Sequence, residues 1–313
     1  MEWQEETTVV AIVFVIQMLT EKGVVFKMMS RKLVLGIIVL SVTLCSFVCH
    51  GGEAGDQGKL YVVGMGPAGP DLTAPRALRI VEKADVLLCS PRMPQRFEKF
   101  GLHIDPKKVA LNPWEGIIGK EAQKLKKSDY DAWKVQSQKR VERVQDFIRE
   151  KLRQGKTVAM MDGGDPCVYA PSLQYLLSGF DPALFEVIPG MGAFNAAAAA
   201  LKTSMTPDNV RIVLLTSPES LFGESWEKGD EILKDLSKYD NTMVLYMSLS
   251  DMNKVVERFR KYYPPDFPIA IVYYAGYGEK EKVLKSNLKD IEEDVKNMDE
   301  KWLGLAILGK CAR

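Results

Sequence analysis

Three glycine-rich stretches, each following an apolar run, carry the residues whose types and spacing could do chemistry. The first is "LYVVGMGPAGPDL", Leu60 to Leu72, with glycines at Gly64, Gly66 and Gly69. Gly-x-Gly-x-x-Gly after a strand is the spacing that lets a backbone turn approach a dinucleotide pyrophosphate at a helix N-terminus. The rest of that device is out of place. The acid that should bind a ribose is Asp85, but it opens the apolar run Val86–Cys89, whose far end carries Cys89 and Ser90. Pro67 and Pro70 remove N–H donors from a turn whose phosphate-holding capacity depends on them. The other reading of these glycines is an α/β turn that needs them for its own geometry.

The second stretch is Asp162-Gly163-Gly164-Asp165-Pro166, and the third is Pro189-Gly190-Met191-Gly192-Ala193. Paired glycines let backbone approach a ligand closely, and Asp165 offers a carboxylate to an ammonium or ribose group. A tight turn with a helix cap would use the same residues. The third stretch opens an alanine-rich segment whose small side chains leave room for a purine or an aliphatic tail, or serve helix–sheet packing. Met247 ends a further apolar run, where a core methionine and a ligand contact are both compatible with the sequence.

The elements that must position these residues alternate. Strand-like runs occur at Leu60–Val63, Val86–Cys89, Val109–Leu111, Thr157–Met161, Phe185–Ile188, Val210–Thr216, Met243–Met247, Ile269–Tyr274 and Leu303–Leu308. Most are continuous Val/Ile/Leu runs, as in strands buried on both faces. Helical stretches fall between them at Ala74–Lys83, Gln138–Gln154, Ala193–Leu201, Asp251–Tyr262 and Leu288–Asn297. The fold class expected is α/β with largely parallel sheets. The expected divisions are an extension over 1–58, an α/β domain over 59–170 and a second over 171–313. The charged stretch Asn112–Gln138, with Trp114, Tyr130 and Trp133, reads as a surface insertion with locally packed aromatics, or as a flap over a large flat ligand.

Composition excludes several classes. The formal charge of +1 over 313 residues leaves no electrostatic footprint for nucleic acid. The cysteines, Cys45, Cys49, Cys89, Cys167 and Cys311, form no C-x-x-C pair, and only His50 and His103 are present. That argues against a zinc site, a disulfide scaffold and a Ser-His-Asp triad. At the N-terminal end, basic Met28–Lys32, apolar Leu33–Val48 and small polar residues follow one another in the order of a secretory signal. An uncleaved membrane anchor over 33–48 is the alternative. Acidic "MEWQEE" fits no signal, so translation is expected to start at Met28 or Met29.

Taken in order, "GMGPAGPDLTAPRAL", "EKADVLLCSPR", "GKTVAMMDGGDPCVYAP", "FEVIPGMGAFNAAAAALKTSMT", "TMVLYMSLSDM" and "PIAIVYYAGYGEKEKVLKSNLKDI" resemble the tetrapyrrole (corrin/porphyrin) methylase family over Lys59 to Lys310. The resemblance implies two α/β domains with a cofactor cleft between them, homodimerisation, and methylation of a tetrapyrrole, a corrin or porphyrin precursor, with S-adenosylmethionine as cofactor. Carried over by position, the cofactor contacts are Pro67, Gly163, Gly164, Asp165, Val168, Gly192, Ala193, Met247 and Gly276. Arg92 and Arg96, with Lys99, follow the second strand and are candidates for the substrate's carboxylates; a solvated basic helix end is the other reading.

This chain departs from the family pattern at two places. Many members carry Gly-Pro-Gly-Asp in the first loop, where this chain has Pro67-Ala68-Gly69-Pro70-Asp71. Uroporphyrinogen methylases have a proton-accepting aspartate after the second strand; the corresponding residue here is Ser90. The stretch "ADVLLCSPRMPQRF" is closer to the corrin-ring members. No catalytic residue is assigned, and methyl transfer from a sulfonium requires alignment more than a potent nucleophile. Two alternatives remain on the same fold: an exported, non-catalytic ligand-binding protein, and a methylase of another substrate. A used signal implies a membrane-associated or exported protein; otherwise the protein is cytoplasmic.

Overall fold

The structure is a computed structural model and describes residues 58–117, 127–223 and 228–313. The signal or anchor expected over 28–50 lies outside the described residues, as does the middle of the charged insertion. Among the described residues no helix is long and apolar enough to cross a membrane.

The first sheet has the order β3-β2-β4-β1-β5. Its strands are β1 (Leu60–Gly64), β2 (Val86–Leu88), β3 (Val109–Leu111), β4 (Val158–Asp162) and β5 (Phe185–Ile188). All neighbours pair in parallel. Central β4 is buried at every position, as expected of a strand covered on both faces. Helix α1 (Pro75–Lys83) and α2 (Arg92–Glu98) cover one face, setting Ala77, Val81, Met93 and Phe97 against Val63, Leu87, Ala159 and Met161. Helix α3 (Lys127–Arg153) covers the other, placing Val141, Val144, Ile148 and Leu152 on Leu60, Leu88, Val158 and Met160. The spacing of those four apolar residues is one face of an α-helix.

The chain leaves this sheet only after Ile188, past the division expected at 170. It passes through α4 (Ala193–Leu201) into a second sheet of order β6-β7-β10-β8-β9. These strands are β6 (Ile212–Thr216), β7 (Asn241–Leu245), β8 (Pro268–Tyr273), β9 (Lys282–Asn287) and β10 (Gly304–Gly309). Only β6 and β7 run in parallel; β10 is antiparallel to β7 and β8, and β9 to β8. The expectation of largely parallel sheets is therefore corrected for this half. The short link Gly278–Lys280 folds β9 back on β8 as a hairpin, which a crossover connection cannot do.

Four more helices complete this half: α5 (Pro218–Phe222), α6 (Gly229–Leu236), α7 (Met252–Phe259) and α8 (Ile291–Asp294). Leu233 of α6 and Val255, Val256 and Phe259 of α7 pack on one face of the sheet. Ala197 and Leu201 of α4 pack on the other, against Val244, Ala270, Val272 and Ile307. The insertion resolves into two pieces. Trp114 packs against the core under α3, whereas Tyr130 and Trp133 stack on each other, ring centroids 5.7 Å apart, within α3 itself.

Candidate functional site

The glycines of the first loop serve close packing between strand ends. A β-carbon on Gly64 would sit 2.5 Å from the amide nitrogen of Gly190, and one on Gly190 would sit 2.8 Å from the carbonyl carbon of Gly64. Gly66, at φ 71°, exchanges backbone hydrogen bonds with Gly164: its N–H donates at 3.2 Å and its carbonyl accepts at 2.8 Å. Met65 N–H donates to the Asp162 carbonyl at 2.8 Å. The Met65 and Gly66 amides, the first a phosphate cradle would use, are thus engaged with the neighbouring loop. Asp85 is engaged too, at the opposite end of the sheet. Its Oδ2 accepts from the Thr157 amide at 2.8 Å, and that bond holds its carboxyl below the usual range. Both observations count against the dinucleotide reading.

The first loop is pinned by buried Thr73, whose hydroxyl donates to the Met65 carbonyl at 2.7 Å. Beyond this pin, Pro67 meets the second half of the chain. Gly276, at φ 84° in the turn after β8, is so close that a β-carbon there would lie 3.6 Å from Pro67 Cγ and 2.6 Å from Leu72 Cδ1. The Gly276 amide donates to Glu281 Oε2 at 2.7 Å. These contacts bring together two of the expected site residues that lie far apart in sequence.

Arg96 and Arg92 part company. Arg92 is exposed at the start of α2, where its amide donates to Ser90 Oγ at 3.4 Å. Arg96 turns inward. Its Nη1 donates to the Tyr277 hydroxyl at 3.5 Å and its Nη2 to Met93 Sδ at 3.0 Å. Its buried Nε has no partner, and Nη1 lies 3.7 Å from where a Gly163 β-carbon would be. One cation therefore stands against the second glycine stretch with donor capacity to spare, while the other faces solvent.

That second stretch is both a turn and an open surface. Asp165 Oδ1 accepts from the Cys167 amide at 3.0 Å, and the Asp165 carbonyl accepts from Val168 at 3.3 Å, which is the capped-turn reading. Gly163 is exposed, and Gly164, at φ 84°, has nothing within 4 Å of its β-carbon position. Half-buried Val168 leads to Tyr169, which stacks on Tyr246 with ring centroids 4.8 Å apart. Tyr246 directly follows β7. Its buried hydroxyl has the Phe194 backbone beside it but forms no well-aligned hydrogen bond, and burial pushes it up to about 12.

The remaining expected residues complete the second side. Gly192 caps α4 in extended conformation, and Ala193 packs partly into the core beneath it. Met247 departs from the core reading: it is 49% exposed and left-handed at φ 55°. Among the described residues only five non-glycines have positive φ, and Tyr169, Met247 and Tyr274 of these follow strands β4, β7 and β8. Such conformations persist where the surroundings enforce them, and they gather at ligand sites. Tyr169, Tyr246, Tyr277 and Asp162 were not singled out from the sequence. The available signal was their position at, or within seven residues of, the glycine motifs and strand ends, but aromatic residues there read equally well as core.

The family described as Tetrapyrrole (Corrin/Porphyrin) Methylases has a model that matches residues 59–292. The chain is 30% identical over 258 residues to a cobalt-precorrin-4 C(11)-methyltransferase of Methanocaldococcus jannaschii, spanning 80% of this chain and 87% of that protein. Its fold matches that of a cobalamin biosynthetic enzyme, cobalt precorrin-4 methyltransferase, with a TM-score of 0.62 at 24% identity, covering 82% of this chain and 96% of the other. It also matches uroporphyrin-III C-methyl transferase from Thermus thermophilus complexed with S-adenyl homocysteine, with a TM-score of 0.54 at 20% identity over 82% and 99% of the two chains.

Proposed function

Since the chain belongs to the tetrapyrrole (corrin/porphyrin) methylases, we propose that it transfers a methyl group from S-adenosylmethionine to a carbon of a corrin-type tetrapyrrole precursor. It is an S-adenosylmethionine-dependent methyltransferase. The observation that carries the fuller reading is the convergence of both halves on one place. Pro67 lies against Gly276, and Arg96 lies between Gly163 and Tyr277.

The residues fit the cofactor. Gly164 leaves open space where any side chain would intrude, as close approach to a ligand requires. On this reading Gly163, Gly164, Asp165 and Val168 would form one wall, Gly192, Ala193 and exposed Met247 the other, with Pro67 and Gly276 closing the side. Asp165 retains acceptor capacity for an ammonium or a ribose hydroxyl, because a carboxylate accepts more bonds than the one given by Cys167. When bound, the cofactor supplies a methyl group made electrophilic by a sulfonium. The protein's part is to hold donor and acceptor in line and to exclude water.

Arg96, with its unpartnered Nε, would take a carboxylate of the tetrapyrrole as a charge-assisted bond, with Arg92 as an outer contact. Two features support a corrin-type rather than a uroporphyrinogen substrate. Ser90 follows β2 at the place where the uroporphyrinogen enzymes carry an acid, and here its hydroxyl accepts from the Arg92 amide at 3.4 Å. The relative at 30% identity bears the name of a cobalt-precorrin-4 enzyme.

The test is transfer of labelled methyl from S-adenosylmethionine to a panel of precorrins, cobalt-precorrins and uroporphyrinogen III. Labelling of a corrin-type precursor in preference to uroporphyrinogen III is expected. Preferred labelling of uroporphyrinogen III, or of a compound that is not a tetrapyrrole, would overturn the substrate assignment.

A further inference from the structure

Among the described residues whose side chains are buried, Asp162 is the only acidic or basic one. It is the last residue of central β4 and directly precedes exposed Gly163 and buried Gly164. Its carbonyl accepts from Met65, but its buried Oδ2 has no partner. Burial alone pushes its carboxyl up to about 7. Its register partner on β1 is Gly64, which offers no charge. On β2 the thiol of Cys89, itself pushed up to about 11 by burial, lies on the opposite face of the sheet with Ala159 and Met161. The face that Asp162 shares with Val158 and Met160 is covered by apolar residues of α3, where Arg140 is engaged with the Gly116 carbonyl at 2.8 Å. Arg96 of α2 lies against Gly163, yet forms its polar contacts with Tyr277 and Met93. Asp165, in the same loop, bonds to Cys167.

A buried carboxylate without a cation is costly to keep. Strand carboxyl ends in α/β sheets are where ligands bind, and the ligand of this cleft is itself a cation before transfer and has lost its sulfonium charge afterwards. On the methyltransferase reading, we propose that Asp162 is the counter-ion through which the cleft distinguishes the sulfonium donor from the neutral thioether product. Donor binding then favours the carboxylate, and the proton held by Asp162 leaves to solvent. After transfer, the S–CH3 bonding pair resides on a neutral sulfur, the carboxylate loses its cation, and product release is favoured.

The donor and the thioether share their adenosine, ammonium and carboxylate groups, so the ratio of their affinities isolates the sulfonium. If donor binding strengthens the Asp162 acid tenfold, the ratio rises about fivefold between pH 6 and pH 8, and roughly 0.4 of a proton is released per donor at pH 7. Calorimetry of S-adenosylmethionine and S-adenosylhomocysteine on the full chain, in two buffers of different protonation enthalpy, measures both quantities. Asp162→Asn should bind both ligands with a ratio that is flat in pH, and donor binding to it should release no proton. A pH-independent ratio in the wild type, or an equal loss of both ligands in Asp162→Asn, would overturn the proposal. The wild-type pH series needs no variant to fold. Failure of the wild type to bind either ligand would remove the cofactor site, and this proposal with it; binding of both with a flat ratio removes this proposal alone.

Discussion

The ring of Tyr169 lies on the ring of Tyr246, centroids 4.8 Å apart and planes 20° from parallel. One tyrosine follows the glycine turn after β4 and the other follows β7, so the stack joins the two sheets where their strands end. Tyr169 holds φ at 52° to make it. The ring of Tyr246 and its hydroxyl do different things: the ring packs, whereas the buried hydroxyl has the Phe194 backbone beside it and no well-aligned bond to it. Tyr246→Phe is therefore expected to leave stability unchanged or to raise it by about 1 kcal/mol. Tyr246→Ala should lose about 3 kcal/mol through the cavity it leaves. Urea denaturation of the two variants makes the comparison. A Phe variant as unstable as the Ala variant would mean that the hydroxyl is bonded in solution.

Gly276 and Gly278 separate backbone strain from side-chain collision. Both have positive φ, at 84° and 59°. A β-carbon on Gly276 would meet Leu72 at 2.6 Å, whereas one on Gly278 meets nothing within 4 Å. Gly278→Ala should cost about 1 kcal/mol, the left-handed penalty alone. Gly276→Ala should cost about 1–3 kcal/mol more, through overpacking against Leu72, and should weaken S-adenosylmethionine binding by displacing Pro67. Equal stabilities and equal cofactor affinities in the two variants would contradict the Pro67–Gly276 contact.

Most of the first sheet was legible in the sequence because its strands are unbroken apolar runs. Edge strand β9 was not: Lys282-Val-Leu-Lys-Ser-Asn is mostly polar and exposed, and its pairing depends on the hairpin turn rather than on burial. Helix α2 showed only as a possible basic helix end, because Pro94 stands within its first turn, a place proline tolerates. Within the site, the glycine motifs were visible as motifs, but their mutual contacts were not. The contact of Gly64 with Gly190, and of Pro67 with Gly276, joins segments whose adjacency is a product of the whole fold. For Met247 the residue type left core and ligand contact equally open, because the left-handed turn that exposes it leaves no compositional trace.

Arg92 and Arg96 were equivalent candidates in the sequence, and their environments now differ. Arg96→Ala should weaken binding of a tetrapyrrole on the order of tenfold or more, since it removes a charge-assisted contact from a partly buried place. Arg92→Ala, at an exposed position, should change it less than about threefold. Neither should alter S-adenosylmethionine affinity by as much. Fluorescence quenching by a tetrapyrrole and calorimetry with the cofactor give the two readouts. An Arg96→Ala protein with unchanged tetrapyrrole affinity would return this cation to a packing role.

The carboxyl of Asp162 sets a pH dependence opposite to that of the paired surface acids. Burial raises it from 3.8 to about 7 in the folded chain, so between about pH 4 and pH 7 the folded state keeps a proton that the unfolded chain has released. Stability from this group is full below pH 4 and falls as pH rises, with the whole loss reached above pH 7. The size is on the order of 2–4 kcal/mol. Asp85 and Glu186 pull the other way. Their carboxyls are held low by the Thr157 amide and by the Lys59 ammonium, respectively, so their stabilisation is lost as pH falls. Asp162→Asn isolates the buried group, because the surface acids are common to both proteins. Wild type and variant should unfold at similar urea concentrations at pH 4, and the variant should become the more stable of the two as pH rises to 8. A constant difference across that range would show that Asp162 is ionised in the folded protein throughout, with a cation beside it.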